Sequence, residues 1–465
     1  MMGPVSGERE TKDRLMPGGE PRYDSDAMRV SHGNSGPVPI ELLYGRGTVA
    51  VTPPPGCVPT LIEKGAMPVL AEPRAAVERA LATPVDGPAL SDLARGKRTA
   101  CLLICDVTRP VPNGLFLAPM IRTLLAAGVP REGITVLVAT GLHRANEGQE
   151  LAEVVGDRWV LETVRVANHR ATEDADHVLV GRTPGRGTVV RLDRRLVDAE
   201  VRIATGLVEP HFMAGWSGGR KVIAPGVAHA ETIRTFHNAA FMAHPRAANC
   251  VLDGNPLHEE QLAIVRMLGG ALALNTVIDD QRRLAFVNFG EIVQSHLEAV
   301  EFARQHAEVP VGRRFHTVVA SAAGHPLDKT YYQTVKGMVG PLDILEPGGD
   351  LIVASACSEG IGSAPYAEAQ RRLVALGPDG FEASIRHKLH ADVDEWQTQM
   401  QLKSMRAGRV RLYTDGLSER DAELTGVERV TDLEKAIAES MAHHGDPNVA
   451  FVPEGPYVVP VHRGE

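Results

Sequence analysis

Short apolar runs recur along the chain and predict strands that are buried on both faces of a sheet. The clearest runs are residues 98–105, 134–139 and 201–207. Residues 115–127 have the periodicity of a helix, and residues 159–167 form a further candidate strand. Strands that alternate with helices predict a parallel-rich, doubly wound α/β domain.

Polar side chains follow each of the three clearest runs. Asp106, Thr108 and Arg109 come after the first run, His143 after the second and His211 after the third. Because the carboxyl ends of parallel strands meet at one edge of a sheet, these residues are expected to converge on one site. The competing interpretation is an ion pair that closes a turn, beside two histidines in solvated loops.

A glycine-rich segment follows the third run and contains Gly218, Gly219, Arg220 and Lys221. Such loops let backbone N–H groups approach an anion, and the two basic side chains would add positive charge at the same place. A helix from about residue 230 carries His237, which is a candidate acid/base group or metal ligand. The alternative is a solvated basic loop beside a helix with an incidental histidine.

A second, Rossmann-like α/β unit is predicted from apolar runs at residues 317–320, 351–354, 410–413 and 449–452. We therefore expect a disordered leader at 1–37, a cofactor-binding domain at 38–309 and a C-terminal domain at 310–465, and an active site in the cleft between the two domains. Whether the last residues return to the first domain is left open. A hairpin with a glycine turn is predicted near the start of the first domain.

The second unit also contains candidate binding residues. Gln333 and Lys336 are three residues apart, so on a helix they face the same way. Trp396 offers an indole that can stack on a flat cofactor ring, and a buried structural anchor is the equal alternative.

Composition excludes several classes of function. The net charge of −9 predicts no general affinity for nucleic acid. Five cysteines without a CxxC pair favour a reducing compartment, and no apolar run is long enough to cross a membrane. We expect a cytoplasmic protein with no membrane partner.

Taken together, these residues resemble the nickel-dependent lactate racemase family. The resemblance runs from Gly45-Arg46-Gly47 to Gly455-Pro456-Tyr457 and rests on four motifs: Asp106-x-Thr-Arg-Pro110, Thr140-Gly-Leu-His143, His211…Ser217-Gly-Gly-Arg-Lys221…His237 and Tyr332-Gln333-x-x-Lys336. Trp216 departs from the pattern, since the family often has a smaller aromatic residue there.

The resemblance implies a nickel-pincer nucleotide, which is a pyridinium mononucleotide with two thioacid arms that hold nickel. By the same resemblance, Lys221 would attach the cofactor covalently and His237 would bind the nickel. His143 and His211 would be the acid/base pair, and Arg109, Gln333 and Lys336 would handle the substrate. The remaining cofactor-binding residues would be Asp106, Thr108, Gly218, Gly219, Tyr332 and Trp396. The enzymes that synthesise the cofactor would be partners.

The expected reaction is racemisation or epimerisation at C2 of a 2-hydroxy acid. Hydride would move to the cofactor and back through a 2-keto acid, and two bases would serve the two enantiomers. Lactate or a similar short-chain acid is preferred, with malate, an aryl-lactate or a sugar acid as alternatives. Two other classes stay open: an NAD-dependent dehydrogenase, suggested by the incomplete glycine fingerprint at residues 357–363, and a non-catalytic cofactor-binding homologue.

Overall fold

The structure of the protein is a computed structural model that describes residues 38–464 and, upstream of them, the backbone of Arg29–His32. Its strands are β1 (Arg29–His32), β2 (Ile40–Tyr44), β3 (Gly47–Val51), β4 (Val58–Glu63), β5 (Ala100–Cys105), β6 (Ile134–Ala139), β7 (Arg165–Asn168), β8 (His177–Arg182), β9 (Val189–Asp193), β10 (Val201–Leu207), β11 (Pro210–His211), β12 (Gly215–Trp216), β13 (Leu272–Ile278), β14 (Leu284–Glu291), β15 (Glu308–Val311), β16 (Phe315–Ser321), β17 (Leu345–Ala354), β18 (Gly408–Tyr413), β19 (Glu428–Val430), β20 (Asn448–Val452) and β21 (Val459–His462).

Helices of varied length connect these strands. They are α1 (Pro73–Ala82), α2 (Leu90–Ala94), α3 (Asn113–Ala126), α4 (Gly148–Val155), α5 (Arg158–Thr163), α6 (Arg194–Val197), α7 (Arg220–Ile223), α8 (Ala230–Phe236), α9 (Ala239–Met242), α10 (Pro256–Met267), α11 (Ile292–Ala307), α12 (Tyr331–Val339), α13 (Ala364–Ile385), α14 (Glu395–Ala407), α15 (Glu419–Leu424) and α16 (Leu433–His444). In the described part of the chain, no helix has the length and apolar character needed to span a membrane.

The first domain is built on a six-stranded sheet with the order β14-β13-β10-β5-β6-β7. Every pair in it is parallel except β13–β14. Leu102, Leu103 and Ile104 in β5 are fully buried, because helices and loops cover both faces of the sheet. The three strands predicted from the clearest apolar runs are therefore confirmed as neighbours.

The second sheet has seven strands in the order β1-β4-β20-β16-β17-β18-β19. Its four central predicted strands, β16, β17, β18 and β20, are confirmed and run parallel. The expected domain bounds place β4 in the first domain, but β4 pairs with β20. The second sheet therefore contains strands from both sides of the expected boundary at residue 310.

The start of the chain differs in part from the expected disordered leader. Within residues 1–37, the backbone of Arg29–His32 forms β1 and pairs antiparallel with β4, because β4 would otherwise be an open sheet edge. The rest of that segment lies outside the described residues. The predicted hairpin is confirmed as β2–β3, and its Leu42 and Val51 pack against Val319 and Ile352 of the second sheet.

The C-terminal end of the second domain contacts the first domain. β15 pairs in parallel with β21 close to the C-terminus. Val459 of β21 belongs to the same buried apolar cluster as Trp216, Val277 and Ala299. The last residues therefore pack against the first domain.

Candidate active site

The carboxyl ends of β5 and β6 bring two polar side chains into contact. His143 Nδ1 lies 2.6 Å from Asp106 Oδ2, and Thr108 donates through its backbone N–H to the other carboxylate oxygen at 3.1 Å. Burial alone would raise the pKa of Asp106, but the hydrogen bonds from His143 and Thr108 outweigh it and lower the pKa below its usual value. Asp106 is thus a buried carboxylate that orients the His143 ring.

His211, in β11 directly after β10, is held by its own loop. Its Nδ1 accepts hydrogen bonds from the backbone N–H groups of Met213 and Ala214, both at 3.2 Å. Burial, followed by the charges of Lys221 and other nearby cations, lowers the pKa of His211 well below its ordinary value. The imidazole is therefore neutral, with its proton on Nε2.

Two lysines and an arginine form a cluster of basic groups at the same place. Burial, followed by the charges of Arg109, Arg220 and Lys336, lowers the pKa of Lys221 to about 7. Burial also lowers the pKa of Lys336 to about 7, with the charge of Arg109 as the second cause. Near neutral pH both amines therefore lose much of their positive charge, which makes them nucleophiles or proton carriers.

Arg109 forms an ion pair with Glu209, a residue for which the sequence suggested no role. Glu209 directly precedes Pro210-His211 just beyond β10. That position, next to a candidate catalytic histidine at a strand end, is the signal by which the sequence could have identified it. The arginine's guanidinium thus already contacts one carboxylate of the protein.

The glycine-rich loop takes the conformation that its residues require. Gly218 and Gly219 have φ values of 77° and 49°, which favour glycine. A Cβ on Gly219 would lie 2.9 Å from the His296 ring, so the loop packs directly on α11. Ser217 fastens it by donating from Oγ to the Leu207 carbonyl at 2.7 Å.

The sequence predicted that Arg220 and Lys221 both add positive charge where the loop approaches an anion, but Arg220 is buried instead. It is 1% exposed and donates to the Ala214 carbonyl at 3.0 Å. Successive residues of a helix point about 100° apart, so in α7 Arg220 faces the interior while Lys221 stays partly exposed. Of the two basic residues, Lys221 is the one presented to the site.

His237 directly follows α8 as its C-cap, and only one of its two ring nitrogens is engaged within the chain. Its Nδ1 lies 2.9 Å from the Ile233 carbonyl and donates to it, which leaves the lone pair on Nε2. Burial lowers the pKa of His237 to about 4, so the ring is neutral, as a metal ligand must be. Among the described residues, no group of three or more His, Cys, Asp or Glu side chains is placed to hold a metal ion.

The second domain contributes α12 and the start of α14. Trp396 packs against His237 with ring centroids 5.1 Å apart, so side chains from both domains meet at this point. Gln333 has a buried Oε1 with no hydrogen-bond partner in the described chain. Tyr332, the residue before it, is anchored through its carbonyl, which accepts from Gln397 Nε2 at 2.6 Å.

The incomplete glycine fingerprint at residues 357–363 contacts the start of α12. Its Gly360 and Ile361 carbonyls accept the N–H groups of Tyr331 and Tyr332 at 3.0 and 3.1 Å. These contacts position the helix that carries Gln333. The segment therefore has a structural role next to the site, whereas a dinucleotide fingerprint would place backbone N–H groups toward a phosphate.

Comparison with known proteins identifies the family of this chain. Residues 44–249 match the lactate racemase N-terminal domain, and residues 313–460 match the lactate racemase C-terminal domain. The chain belongs to the lactate racemase family. It is accordingly an isomerase of the racemase type.

Members of the lactate racemase family resemble this chain over most of its length. The lactate racemase of Thermoanaerobacterium thermosaccharolyticum is 29% identical over 426 residues, which cover 90% of this chain and 98% of that protein. The lactate racemase of Lactiplantibacillus plantarum is 27% identical over 383 residues, which cover 82% and 89% respectively.

Solved structures confirm the predicted parallel-rich α/β fold of this lactate racemase family member. The lactate racemase apoprotein of Thermoanaerobacterium thermosaccharolyticum superposes with a TM-score of 0.82 at 27% identity, covering 91% of this chain and all of that one. A protein from Thermotoga maritima shares the fold with a TM-score of 0.63 at 19% identity, covering 84% of this chain and 98% of its own.

Proposed function

We propose that the chain interconverts the enantiomers of a 2-hydroxy acid, either lactate or a related short-chain acid. The observation that carries the proposal is the Asp106–His143 pair, at the sheet edge that also holds His211. The basic groups Arg109 and Lys336 supply the charge that an acid substrate needs. Relatives that are lactate racemases by name support the same reaction.

Racemisation requires that hydrogen leave C2 from one face and return to the other, while a base accepts the hydroxyl proton. His143 suits that proton transfer because it donates from Nδ1 to Asp106, so Nε2 keeps its lone pair. Its side chain is 61% exposed, which leaves the free nitrogen accessible to a substrate. Asp106 would stabilise the imidazolium that forms.

His211 would act from the opposite side of the substrate. Its ring starts as the tautomer protonated on Nε2, whereas the ring of His143 is protonated on Nδ1. Because the N–H groups of Met213 and Ala214 occupy Nδ1, Nε2 carries the proton and donates to a substrate oxygen. To accept a proton instead, Nε2 needs the hydrogen moved to Nδ1, and residues 213–214 must then release that nitrogen. The two histidines are therefore not equivalent before substrate binds.

The substrate carboxylate would be bound by Arg109 and Lys336. Arginine's planar guanidinium has five N–H donors, so it can hold a substrate carboxylate while it remains paired with Glu209. Gln333 would hydrogen-bond the substrate, which would satisfy an oxygen that is otherwise buried without a partner.

A nickel-pincer nucleotide fits the residues present. His237 offers a neutral imidazole with a free Nε2 as the nickel ligand, and Trp396 lies beside it to cover a flat ring. Lys221 would hold the cofactor covalently, because its amine is partly uncharged near pH 7 and is therefore nucleophilic. The other residues that would line the nucleotide are Asp106, Thr108, Gly218, Gly219 and Tyr332. When bound, the cofactor supplies a hydride acceptor for C2 of the substrate.

The test is to co-express the protein with enzymes that synthesise the cofactor. The purified protein is expected to racemise L-lactate, measured by chiral chromatography, and to show added mass and bound nickel. Lys221→Ala is expected to remove the added mass. His237→Ala is expected to keep the added mass but lose nickel and activity. A wild-type protein with full cofactor that leaves every tested 2-hydroxy acid unchanged would refute the proposed reaction.

A further inference from the structure

Glu209 places a fixed negative charge beside the arginine that would bind the substrate. Its carboxylate pairs with Arg109, and its side chain is 23% exposed, compared with 24% for the arginine. The backbone of Glu209 is held on both sides by Ser217: its N–H donates to Ser217 Oγ at 3.0 Å, and its carbonyl accepts the Ser217 N–H at 2.9 Å. This anchored backbone keeps the carboxylate close to Arg109.

The positive charge around Arg109 that is not yet neutralised can balance one additional carboxylate. Lys221 would lose its charge when it forms the bond to the cofactor, which leaves Arg109 and the partly charged Lys336 as the cations that face a substrate. Glu209 neutralises one of these two charges. Asp106, the neighbouring carboxylate, is already engaged by His143 and keeps its own charge. A monoanion would complete the balance, whereas a dianion would exceed it.

We propose that Glu209 is a specificity-determining residue that restricts the substrate to monocarboxylic 2-hydroxy acids and rejects dicarboxylates. This inference rests on the proposed racemase function. A substrate bound through one carboxylate on Arg109 brings any second carboxylate within a few atoms of Glu209. Because the Glu209 side chain is only 23% exposed, solvent screens the repulsion between two such charges incompletely, and a like charge is an effective means of rejecting the wrong ligand. L-lactate fits this rule and L-malate does not.

Glu209→Gln tests the role of charge, because glutamine keeps the side-chain length and an oxygen that can accept from Arg109. The cofactor-loaded wild type and variant are assayed for racemisation of L-lactate and L-malate. We expect the malate-to-lactate ratio of kcat/KM to rise at least about 10-fold in the variant. Glu200→Gln is the matched control, since Glu200 is 41% exposed and pairs with Lys97 before the start of β10, and its ratio should stay that of the wild type.

Three results separate the possible failures. A wild type that racemises L-lactate while Glu209→Gln keeps the wild-type ratio overturns the role of Glu209. A loaded wild type that racemises no hydroxy acid overturns the proposed reaction, and calorimetric binding of L-malate then tests Glu209 independently. Glu209→Gln must bind L-malate at least about 10-fold more tightly than the wild type, and Glu209→Asp, which retains the charge, must not. Equal malate affinity in all three proteins would contradict the inference.

Discussion

At the scale of single residues, the two candidate acid/base histidines differ in which ring nitrogen is free. His143 presents Nε2 because Asp106 holds Nδ1, and His211 presents an N–H because backbone donors hold its Nδ1. In the proposed reaction, the carboxylate of Asp106 would therefore decide which histidine starts as the base.

Asp106→Asn should expose that dependence. An asparagine amide can favour the wrong tautomer of His143, so we expect kcat to fall by about 10²–10⁴-fold with a much smaller change in KM. The measurement is steady-state racemisation of lactate by the loaded enzyme. Asp253→Asn is the control, because that side chain is 98% exposed. A variant with the wild-type kcat would rule out an orienting role for Asp106.

The basic cluster makes a separate prediction about Lys221. Its lowered pKa, about 7, means that the amine loses its proton about three pH units below an ordinary lysine at ~10.4. In the cofactor-free protein, acetylation of Lys221 by acetic anhydride should rise with pH and reach half its maximum near pH 7, measured by peptide mass spectrometry.

Removing a nearby positive charge should move that midpoint upward, because a cation close to an amine disfavours its protonated form. Arg109→Gln is expected to have this effect, and Arg95→Gln, an exposed residue paired with Asp92, is not. A wild-type midpoint near pH 10 would show that Lys221 has no special reactivity.

The sequence identified candidate site residues by their chemical type but did not show where each side chain points. Lys221 and Arg220 look equally suited to an anion site, yet only the fold shows that Arg220 is buried. The ion pair of Glu209 with Arg109 was not predicted, because the two residues are a hundred residues apart in the chain. Such long-range pairings are set by packing and have no local pattern.

At the scale of elements, the Ser-Gly-Gly loop depends on close contact with α11. Gly219→Ala would place a methyl group 2.9 Å from His296 in a conformation that favours glycine. We expect a loss of about 2–4 kcal/mol in the free energy of unfolding, measured by urea denaturation. Gly187→Ala separates the two causes, since Gly187 also has a positive φ but open space around its Cβ position, and should lose about 1 kcal/mol. Equal losses in both variants would argue against the His296 contact.

One predicted strand was wrong for a local reason. The apolar run at residues 159–167 begins as helix α5, and only its second part forms β7. Asp157 caps the helix by accepting from the Trp159 N–H at 2.8 Å, and Arg158 pairs with Glu162 one turn later. The cap and this i,i+4 pair favour a helix over the strand that hydrophobicity alone suggested.

At the scale of the whole molecule, the sequence indicated the two large parallel-rich sheets more accurately than which strands belong to each. Apolar runs identify β16, β17, β18 and β20 because these strands are buried on both faces. The pattern does not show that β4 completes the same sheet, because pairing across nearly the full chain depends on topology. The same holds for the contact of β21 with the first domain.

Leu42 tests the role of the early chain in the second domain. It is fully buried beside Val319 and Ile352, so Leu42→Ala should destabilise that domain by about 2–5 kcal/mol. Hydrogen exchange should accelerate in β16 and β17 and stay unchanged in β5. Leu389→Ala, at a position that is 76% exposed, is the control and should alter stability by no more than about 0.5 kcal/mol. Faster exchange confined to β5 would contradict the assignment of Leu42 to the second domain.

The pairing of β4 with β20 has a consequence for synthesis on the ribosome. Val58 lies opposite Asn448, so the two partners are 448 − 58 = 390 residues apart. At about 5–20 residues per second, the first strand emerges roughly 20 to 80 seconds before its partner. During that time the early strand and the hairpin before it have no sheet to join. We therefore expect that chaperones must protect the first sixty or so residues of nascent chains until translation is nearly finished.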